Sequence, residues 1–294
     1  MLKLSKHLKT IQRKQQTIKS TVCFSGLGVH TGKQVTIRFC PAPVNTGIHF
    51  KRIDLPDQPI IPATMPYVRD TTRNSTTIGH EKALVHTVEH VMAALHGMEI
   101  DNVIVEVSNL EPPICDGGSA KFVSMIEEGG ILSQPEAQNI VKISSPLYWS
   151  EGDIHMVALP YDGYRLSYTL SYPEPEILRA QFHSELINPA NFKTEIAPCR
   201  TFSRYEEIST LMDRGLIKGG SLDNAVIIKG NAVFSREGLH FPDEMARHKV
   251  LDMVGDFALI GVPIHAHVIA IRGGHNSNFQ LAKAIYQYIT TENS

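Results

Sequence analysis

The sequence predicts an α+β protein built from two similar halves, each with a sheet and helices layered on it. Strand-like and helix-like segments are mixed along the chain, without the strict βαβ order of a doubly wound sheet. Each half contains a long apolar helical segment with histidines and carboxylates embedded in it. The segments "DNVIVEV" (101–107) and "DNAVIIK" (223–229) resemble each other, which suggests a duplicated unit.

Residues 1–20 are predicted to form a basic N-terminal tail. The segment "MLKLSKHLKTIQRKQQTIKS" lacks the continuous apolar core of a secretory signal. Leu4, Leu8 and Ile11 fall at helical spacing among lysines, so this tail could make transient contact with an anionic inner-membrane surface. The alternative is a solvated or frayed chain end.

The first domain is assigned to residues 21–136. After the glycine-rich turn "SGLGVHTGK" (25–33), "QVTIRFC" (34–40) alternates apolar and polar residues as a strand does. "KALVHTVEHVMAALHG" (82–97) is predicted to be a helix, because apolar residues recur at helical spacing and Gly97 suits its C-terminal end. Further along, "NVIVEV" (102–107) predicts a strand, "SNLEPPICDGGSA" (108–120) a loop and "KFVSMIEEGG" (121–130) a short helix.

The second domain is assigned to residues 137–294, because the composition turns polar around "LSQPEAQ" (132–138). Its strands are predicted in five segments: "NIVKIS" (139–144), "IHMVALP" (154–160), "YRLSYTLSY" (164–172), "NAVIIKG" (224–230) and "PIHAHVIAI" (263–271). Its helices are predicted in "SRYEEISTLMDRGL" (203–216), "DEMARHKVLDMVGDFALIG" (243–261) and "SNFQLAKAIYQYI" (277–289).

Composition and charge exclude several classes of protein. The formal net charge of −2 gives no basic excess for nucleic acid, and no apolar run is long enough to span a membrane. The four cysteines are scattered without a CxxC pair, which argues against a disulfide framework and a thiolate zinc site and fits the reducing cytoplasm. With 14 histidines in the chain, imidazole and carboxylate are the expected ligands of any metal.

The predicted helix 243–261 carries a polar row along an otherwise apolar segment. His248 and Asp252 are four residues apart and share a helix face, and Asp256 lies one further turn along. Burying two carboxylates is costly unless a cation or hydrogen-bond donors meet them. A metal ion held by His248 and Asp252 answers this cost, and a solvated i,i+4 pair is the alternative.

The segment "HTVEH" (86–90) matches the H-x-x-E-H pattern of inverzincin peptidases, in which both histidines bind zinc. A second interpretation uses only His90 as a ligand. Glu89 then points about 100° around the helix, beside the metal site, where a general base can reach a water on the metal. The first interpretation requires His86 as a ligand and gives His248 no role.

Together, His90, His248 and Asp252 form a three-ligand set with an open fourth position, which is typical of catalytic metal sites. His275, after two glycines in "IRGGHNSN", could enter a cleft as a general acid, with Asp256 holding its imidazolium. A non-haem iron oxygenase also uses two histidines and a carboxylate, but usually on a β-barrel, which this helix-borne set does not resemble. A non-enzymatic sugar-nucleotide or lipid-binding module with a structural metal is the other alternative, and it would close the fourth position with a protein ligand.

A series of motifs from about residue 20 to the C-terminus resembles the UDP-3-O-acyl-N-acetylglucosamine deacetylase family of zinc amidases. These motifs are "SGLGVHTGK", "TVEHVMAALHG", "DNVIVEV", "EPPICDGGSA", "CRTF", "GLIKGGSLDNAV", "RHKVLDMVGD" and "GGHNSN". The resemblance implies two similar α+β domains with the active site between them. It also implies hydrolysis of the amide of UDP-3-O-(3-hydroxyacyl)-N-acetylglucosamine, with release of acetate, in the cytoplasm of Gram-negative bacteria as the committed step of lipid A biosynthesis.

The resemblance also implies roles for particular residues. It makes His90, His248 and Asp252 the ligands of Zn²⁺ or Fe²⁺, and His86 not a ligand. Glu89 is then the general base, His275 the acid that protonates the leaving amine, and Asp256 the residue that orients His275. Further implied roles are oxyanion stabilisation by Thr201, substrate binding by Lys249, a place beside the sugar or acyl passage for Phe202, and a monomeric protein that acts on a small-molecule substrate and water.

Two segments depart from the expected family pattern. "TTRNSTT" (71–77), which includes Arg73 and Asn74, is more polar than expected. Arg204 stands where a second aromatic residue is expected. Both departures bear on the shape of the acyl passage and leave the proposed chemistry unchanged.

Overall fold

The computed structural model describes residues 4–5, 8–71 and 74–291. Helices and several sheets are mixed, which confirms the predicted α+β class. The helices are α1 (Glu89–Gly97), α2 (Ala120–Gly129), α3 (Pro189–Asn191, continued by a π-helical turn at Phe192–Ile196), α4 (Tyr205–Asp213), α5 (Glu244–Ala258) and α6 (His275–Thr290), with 3₁₀ turns at Met65–Tyr67 and Glu176–Leu178.

The strands are numbered in chain order. They are β1 (Lys9–Ile18), β2 (Val22–Leu27), β3 (Gln34–Pro41), β4 (Ile48–Arg52), β5 (Ile60–Pro62), β6 (Val68–Asp70), β7 (Thr77–His80), β8 (Ala83–Val85), β9 (Val103–Val107), β10 (Ile131–Lys142), β11 (Leu147–Glu151), β12 (Ile154–Leu159), β13 (Tyr164–Leu170), β14 (Gln181–Leu186), β15 (Phe202–Arg204), β16 (Val226–Lys229), β17 (Ala232–Phe234) and β18 (Ile264–Ile271).

Two five-strand sets share one topology. The first is ordered β2-β3-β9-β4-β5, with β9 and β4 parallel and the other neighbours antiparallel. The second is ordered β11-β12-β18-β13-β14, with β18 and β13 parallel and the others antiparallel. In each set one helix precedes the central strand in the chain and another helix follows it. These helices are α1 and α2 around β9, and α5 and α6 around β18. This correspondence supports the predicted repeat, which stays a prediction.

The sequence segments that suggested the repeat do not occupy matching places. "DNVIVEV" contains β9, the central strand of the first set, whereas "DNAVIIK" contains β16 of the small sheet β15-β16-β17. The topological counterpart of β9 is β18. The similarity of the two segments therefore reflects two buried β-branched strands and gives no support to a duplication.

The predicted tail is wrong for residues 9–18, which form β1. This strand pairs antiparallel with β10 from Lys9–Lys142 to Ile18–Ile131, and Ile18 is fully buried. The lysines of β1 are exposed, and the buried Gln15 donates its side-chain amide to Asn45 Oδ1 and to the carbonyl oxygen of Ala137. The predicted domain boundary at 136/137 lies within β10, and the assignment of residues 21–136 and 137–294 as domains remains a proposal.

The first long helix is shorter than predicted. It begins at Glu89, and residues 83–85 form β8. Thr87 has a left-handed backbone conformation (φ 54°), which a continuous right-handed helix cannot contain. The other predicted helices and strands are present at or near their predicted positions.

Helices α1 and α5 cross in close contact at the centre of the molecule. A Cβ atom added to Gly255 of α5 would lie 2.0 Å from the carbonyl oxygen of Glu89 at the start of α1. Only glycine permits this approach, because any side chain would collide with backbone. The contact brings the polar residues of both helices to one place.

Replacing Gly255 with alanine is expected to force the two helices apart. We expect a loss of about 1–3 kcal/mol or more in the free energy of unfolding, because a buried backbone contact cannot relax cheaply. Thermal unfolding measures this loss. The control is Gly152→Asn, at an open turn with positive φ that asparagine tolerates, and it should unfold like the parent protein. An unchanged Gly255→Ala protein would contradict the close crossing.

None of the helices among the described residues is both long and apolar enough to cross a membrane.

Candidate active site

Three buried ligand groups converge where α1 crosses α5. His90 comes from the first turn of α1, and His248 and Asp252 lie one turn apart on α5. Their donor atoms all lie within 4.8 Å of one another, with Asp252 Oδ1 3.4 Å from His248 Nε2 and 3.8 Å from His90 Nε2. The structure therefore brings together the three residues that the sequence proposed as a ligand set.

The chemistry of this group fits a divalent metal ion. Asp252 Oδ1 is buried and accepts no hydrogen bond from any described residue. His248 donates Nδ1–H to the carbonyl oxygen of Cys199 (3.0 Å), so its Nε2 lone pair points towards Asp252. Burial lowers the pKa of both imidazoles, that of His90 to about 3, so both are neutral. Two neutral imidazoles and an unmatched carboxylate oxygen are a suitable donor set for zinc.

Lys249 fixes the other oxygen of Asp252. Its Nζ donates to Asp252 Oδ2 at 2.8 Å and lies 5.6 Å from the centre of the Phe202 ring. Burial disfavours the ammonium ion, but Asp252 outweighs this and raises the pKa of Lys249. Burial likewise disfavours the Asp252 carboxylate, and Lys249 and the nearby histidines more than compensate, which lowers the pKa of Asp252. Asp252 is therefore ionised, with Oδ1 left for a cation.

Glu89 is buried beside the ligand group without being part of it. Its Oε2 accepts the backbone N–H of Thr76 at 2.9 Å. Burial raises the pKa of Glu89 to about 7, and the carboxylates of Asp256 and Asp252 act in the same direction. A carboxylate whose pKa is near neutral can both take up and release a proton at physiological pH.

His275 is the first residue of α6 and not a loop residue, as the glycines before it had suggested. Its Nδ1–H donates to Asp256 Oδ2 at 2.9 Å, and its Nε2 lies 4.0 Å from Asp252 Oδ2. Burial lowers the pKa of His275, but the carboxylates of Asp256 and Asp252 outweigh it and raise the pKa to about 9. His275 is therefore protonated at neutral pH, and its Nε2–H lies on the side of the ligand group.

All these groups open on one cavity of about 1010 Å³. Thr201 and Phe202, to which the resemblance gives roles in the active site, both line it, and Phe202 begins β15. Arg200, just before them, is buried and makes a two-point ion pair with Glu244, the first residue of α5. The cavity also has an apolar wall, made up of Tyr172, Ile208, Leu211, Met212, Leu216, Ile217, Leu222, Ala225 and Ile227.

The two places where the sequence differs from the family pattern, the segment 71–77 and Arg204, lie near this cavity. Asn74 contributes to its lining, and Arg73 lies outside the described residues. Arg204 forms an ion pair with Glu207, which lines the cavity, and stacks over the ring of Tyr172 at 5.3 Å. The charge of Arg204 is therefore paired beside the apolar wall of the cavity.

Sequence reasoning missed Glu111 and Thr76. Glu111 is buried and accepts the backbone N–H groups of His30 and Thr31, which holds the glycine-rich turn at the cavity. That turn hydrogen-bonds across to the second half through Gly219 N and Val29 O. The Glu111 carboxylate meets these backbone groups 81 and 80 residues away in sequence, so local spacing carried no signal for it. The Thr76 hydroxyl likewise donates to Asp256, 180 residues away.

The peptidase interpretation requires His86 beside His90. Within the described part of the chain, the group of ligand atoms comprises His90, His248 and Asp252 and does not include His86. His86 precedes α1, and its Nδ1 lies 2.7 Å from Thr77 Oγ1. The geometry therefore gives the H-x-x-E-H pattern no second ligand.

Two imidazoles and a carboxylate placed to hold a cation, with a buried glutamate and a buried histidine beside them, are typical of metal-dependent hydrolases. All five side chains line the same cavity, so a substrate bound there can reach each of them.

Comparison with known proteins specifies the family. The chain belongs to the UDP-3-O-acyl N-acetylglycosamine deacetylase family, whose sequence profile matches residues 15–287. It is 45% identical to UDP-3-O-acyl-N-acetylglucosamine deacetylase of Chlamydia felis over 277 residues, covering 94% of this chain and 98% of that protein. It is 45% identical to the enzyme of the same name from Chlamydia caviae (95% and 99% covered) and 44% identical to that from Chlamydia pneumoniae (94% and 98% covered).

Proposed function

We propose that the protein removes the N-acetyl group, as acetate, from UDP-3-O-(3-hydroxyacyl)-N-acetylglucosamine in lipid A biosynthesis. The observation that carries this proposal is the convergence of His90, His248 and Asp252 beside Glu89 and His275 in one cavity. Family membership supplies the substrate class. The apolar wall of the cavity suits a fatty acyl chain, and a sugar nucleotide alone would not require it.

His90, His248 and Asp252 would hold the metal, zinc or ferrous iron. A bound divalent cation would polarise the acetyl carbonyl and acidify a water molecule. Glu89 takes the proton from the attacking water, whose oxygen bonds to the acetyl carbon. His275 donates its Nε2 proton to the sugar nitrogen as the C–N bond breaks, because an amine leaves poorly until it is protonated. Asp256 keeps His275 oriented and charged for this step.

Thr201 and Lys249 are assigned to the substrate. A hydroxyl donor at Thr201 would stabilise the oxyanion that forms on the acetyl oxygen, a role worth about 3 kcal/mol for one donor. Lys249, half-buried beside Asp252 and lining the cavity, would bind the sugar head, with Phe202 beside the sugar or the acyl passage. We further propose that the enzyme is a monomer in the cytoplasm of a Gram-negative bacterium and makes brief contact with the inner membrane.

The test is release of acetate from the acylated UDP-sugar by the purified, metal-loaded protein, with and without a chelator. UDP-N-acetylglucosamine without the acyl chain is the matched control, and we expect it to react far more slowly because it leaves the apolar wall unfilled. No acetate from the acylated substrate would overturn the proposal. His86→Ala should keep metal and activity, and loss of metal there would instead favour the peptidase interpretation.

A further inference from the structure

The strongest unassigned feature of the site is Thr76, which is 1% exposed and lies between β6 and β7. Its three polar groups all have partners in the acid–base machinery or beside it. The N–H donates to Glu89 Oε2 (2.9 Å), the hydroxyl donates to Asp256 Oδ1 (2.6 Å), and the carbonyl accepts Val88 N–H (3.2 Å). One residue of the first half thus joins the start of α1 to a carboxylate on α5.

The Thr76 hydroxyl gives the second oxygen of the Asp256 carboxylate a hydrogen-bond donor. Asp256 Oδ2 accepts His275 Nδ1–H at 2.9 Å and Asn278 Nδ2–H at 2.8 Å, so Thr76 is the donor to the remaining oxygen. A hydroxyl donating to a buried carboxylate makes a short, charge-assisted bond. With both oxygens satisfied the carboxylate cannot rotate freely, and the imidazole bonded to it keeps one orientation.

We propose that Thr76 is a positioning residue that aligns the general base Glu89 with the acid pair Asp256–His275 through its backbone N–H and side-chain hydroxyl. This inference rests on the proposed function for its catalytic consequence. It assigns the base and the acid, which lie 186 residues apart in the chain, to a single hydrogen-bonded unit with Thr76 at its centre.

Two variants separate the hydroxyl of Thr76 from its shape. Thr76→Val keeps the volume and the backbone N–H but removes the hydroxyl, and we expect kcat to fall about 10- to 100-fold with little change in KM. Thr76→Ser keeps the hydroxyl and should remain within a few-fold of the parent enzyme. If packing alone mattered, the order would reverse, because serine loses the methyl group and valine does not.

The neighbouring Thr77 provides the matched control. It is equally buried, but its hydroxyl meets His86 Nδ1, away from the acid and the base. Thr77→Val should therefore keep the parent kcat. Thr76→Val with unchanged kcat, or Thr76→Ser as slow as Thr76→Val, would overturn the proposal.

A double-mutant cycle tests whether Thr76 acts through Asp256. In an Asp256→Asn background, Thr76→Val should lower kcat by only a few-fold more, because the charged acceptor has already been removed. Fully multiplicative losses would contradict the proposal. Should Thr76→Val fold poorly, Thr76→Ala removes the same hydroxyl and enters the same cycle.

An NMR measurement tests the positioning role of Thr76 without requiring that the protein be a deacetylase. The hydrogen-bonded Nδ1–H proton of His275 should give a downfield resonance in the parent protein and in Thr76→Ser, and this resonance should shift or broaden in Thr76→Val. An identical resonance in all three proteins would overturn the positioning role. If the parent protein releases no acetate, the proposed function fails, and this comparison still decides the inference about Thr76.

Discussion

His248→Ala is expected to lose bound metal and deacetylase activity together. The variant removes one of three donors and leaves Asp252 Oδ1 with a single imidazole partner, His90. Removing a residue that only hydrogen-bonds to a metal ligand lowers metal affinity or activity by roughly 10- to 100-fold. Removing a ligand itself should lower them further. Metal content by elemental analysis and acetate release measured on the same preparation test this expectation.

Thermal unfolding provides a second readout for His248→Ala that does not depend on substrate. A ligand that binds only the folded state stabilises it by about 2.7 kcal/mol at 100 times its dissociation constant. Added zinc should therefore raise the Tm of the parent protein and of His86→Ala, and leave His248→Ala unchanged. Parent-like metal content in His248→Ala would remove this residue from the ligand set.

The sequence predicted α5 and the common face of His248 and Asp252 well because that information is local. The two residues lie one helical turn apart on a long helix that is almost entirely buried. His90 is a different case, since its place beside them depends on how α1 packs against α5. Spacing alone left His86 and His90 as rival ligands, and the resemblance to a known family made the choice.

The elements that sequence reasoning missed are those fixed by distant partners. β1 contains mostly polar residues and becomes a strand only by pairing with β10, more than a hundred residues away. The helix α1 was extended too far because the left-handed conformation of Thr87 has no signature in a threonine. Thr76 was noted only as part of a polar segment, since its partner Asp256 is 180 residues away.

The second large effect is expected from Glu89→Gln, which keeps the shape of the side chain and its contact with the Thr76 N–H. Glutamine cannot accept the proton of the attacking water, so kcat should fall by about 100-fold or more while metal remains bound. Glu106→Gln, on β9 away from the cavity, is the control and should leave kcat unchanged. Full activity in Glu89→Gln would show that another group is the base.

His275→Ala should slow amide hydrolysis comparably, by about 100-fold, but for a different reason that the leaving group can reveal. A thiolate can leave without being protonated, because a thiol is acidic, with a pKa near 8.5. An amide anion is a far stronger base than a thiolate, so the amine must be protonated as it leaves. On an analogue with S-acetyl in place of N-acetyl, His275→Ala should therefore recover most of the parent rate. Glu89→Gln should stay slow on both substrates, since activation of water is required in each. Equal recovery in the two variants would mean that the assignment of base and acid to Glu89 and His275 is wrong.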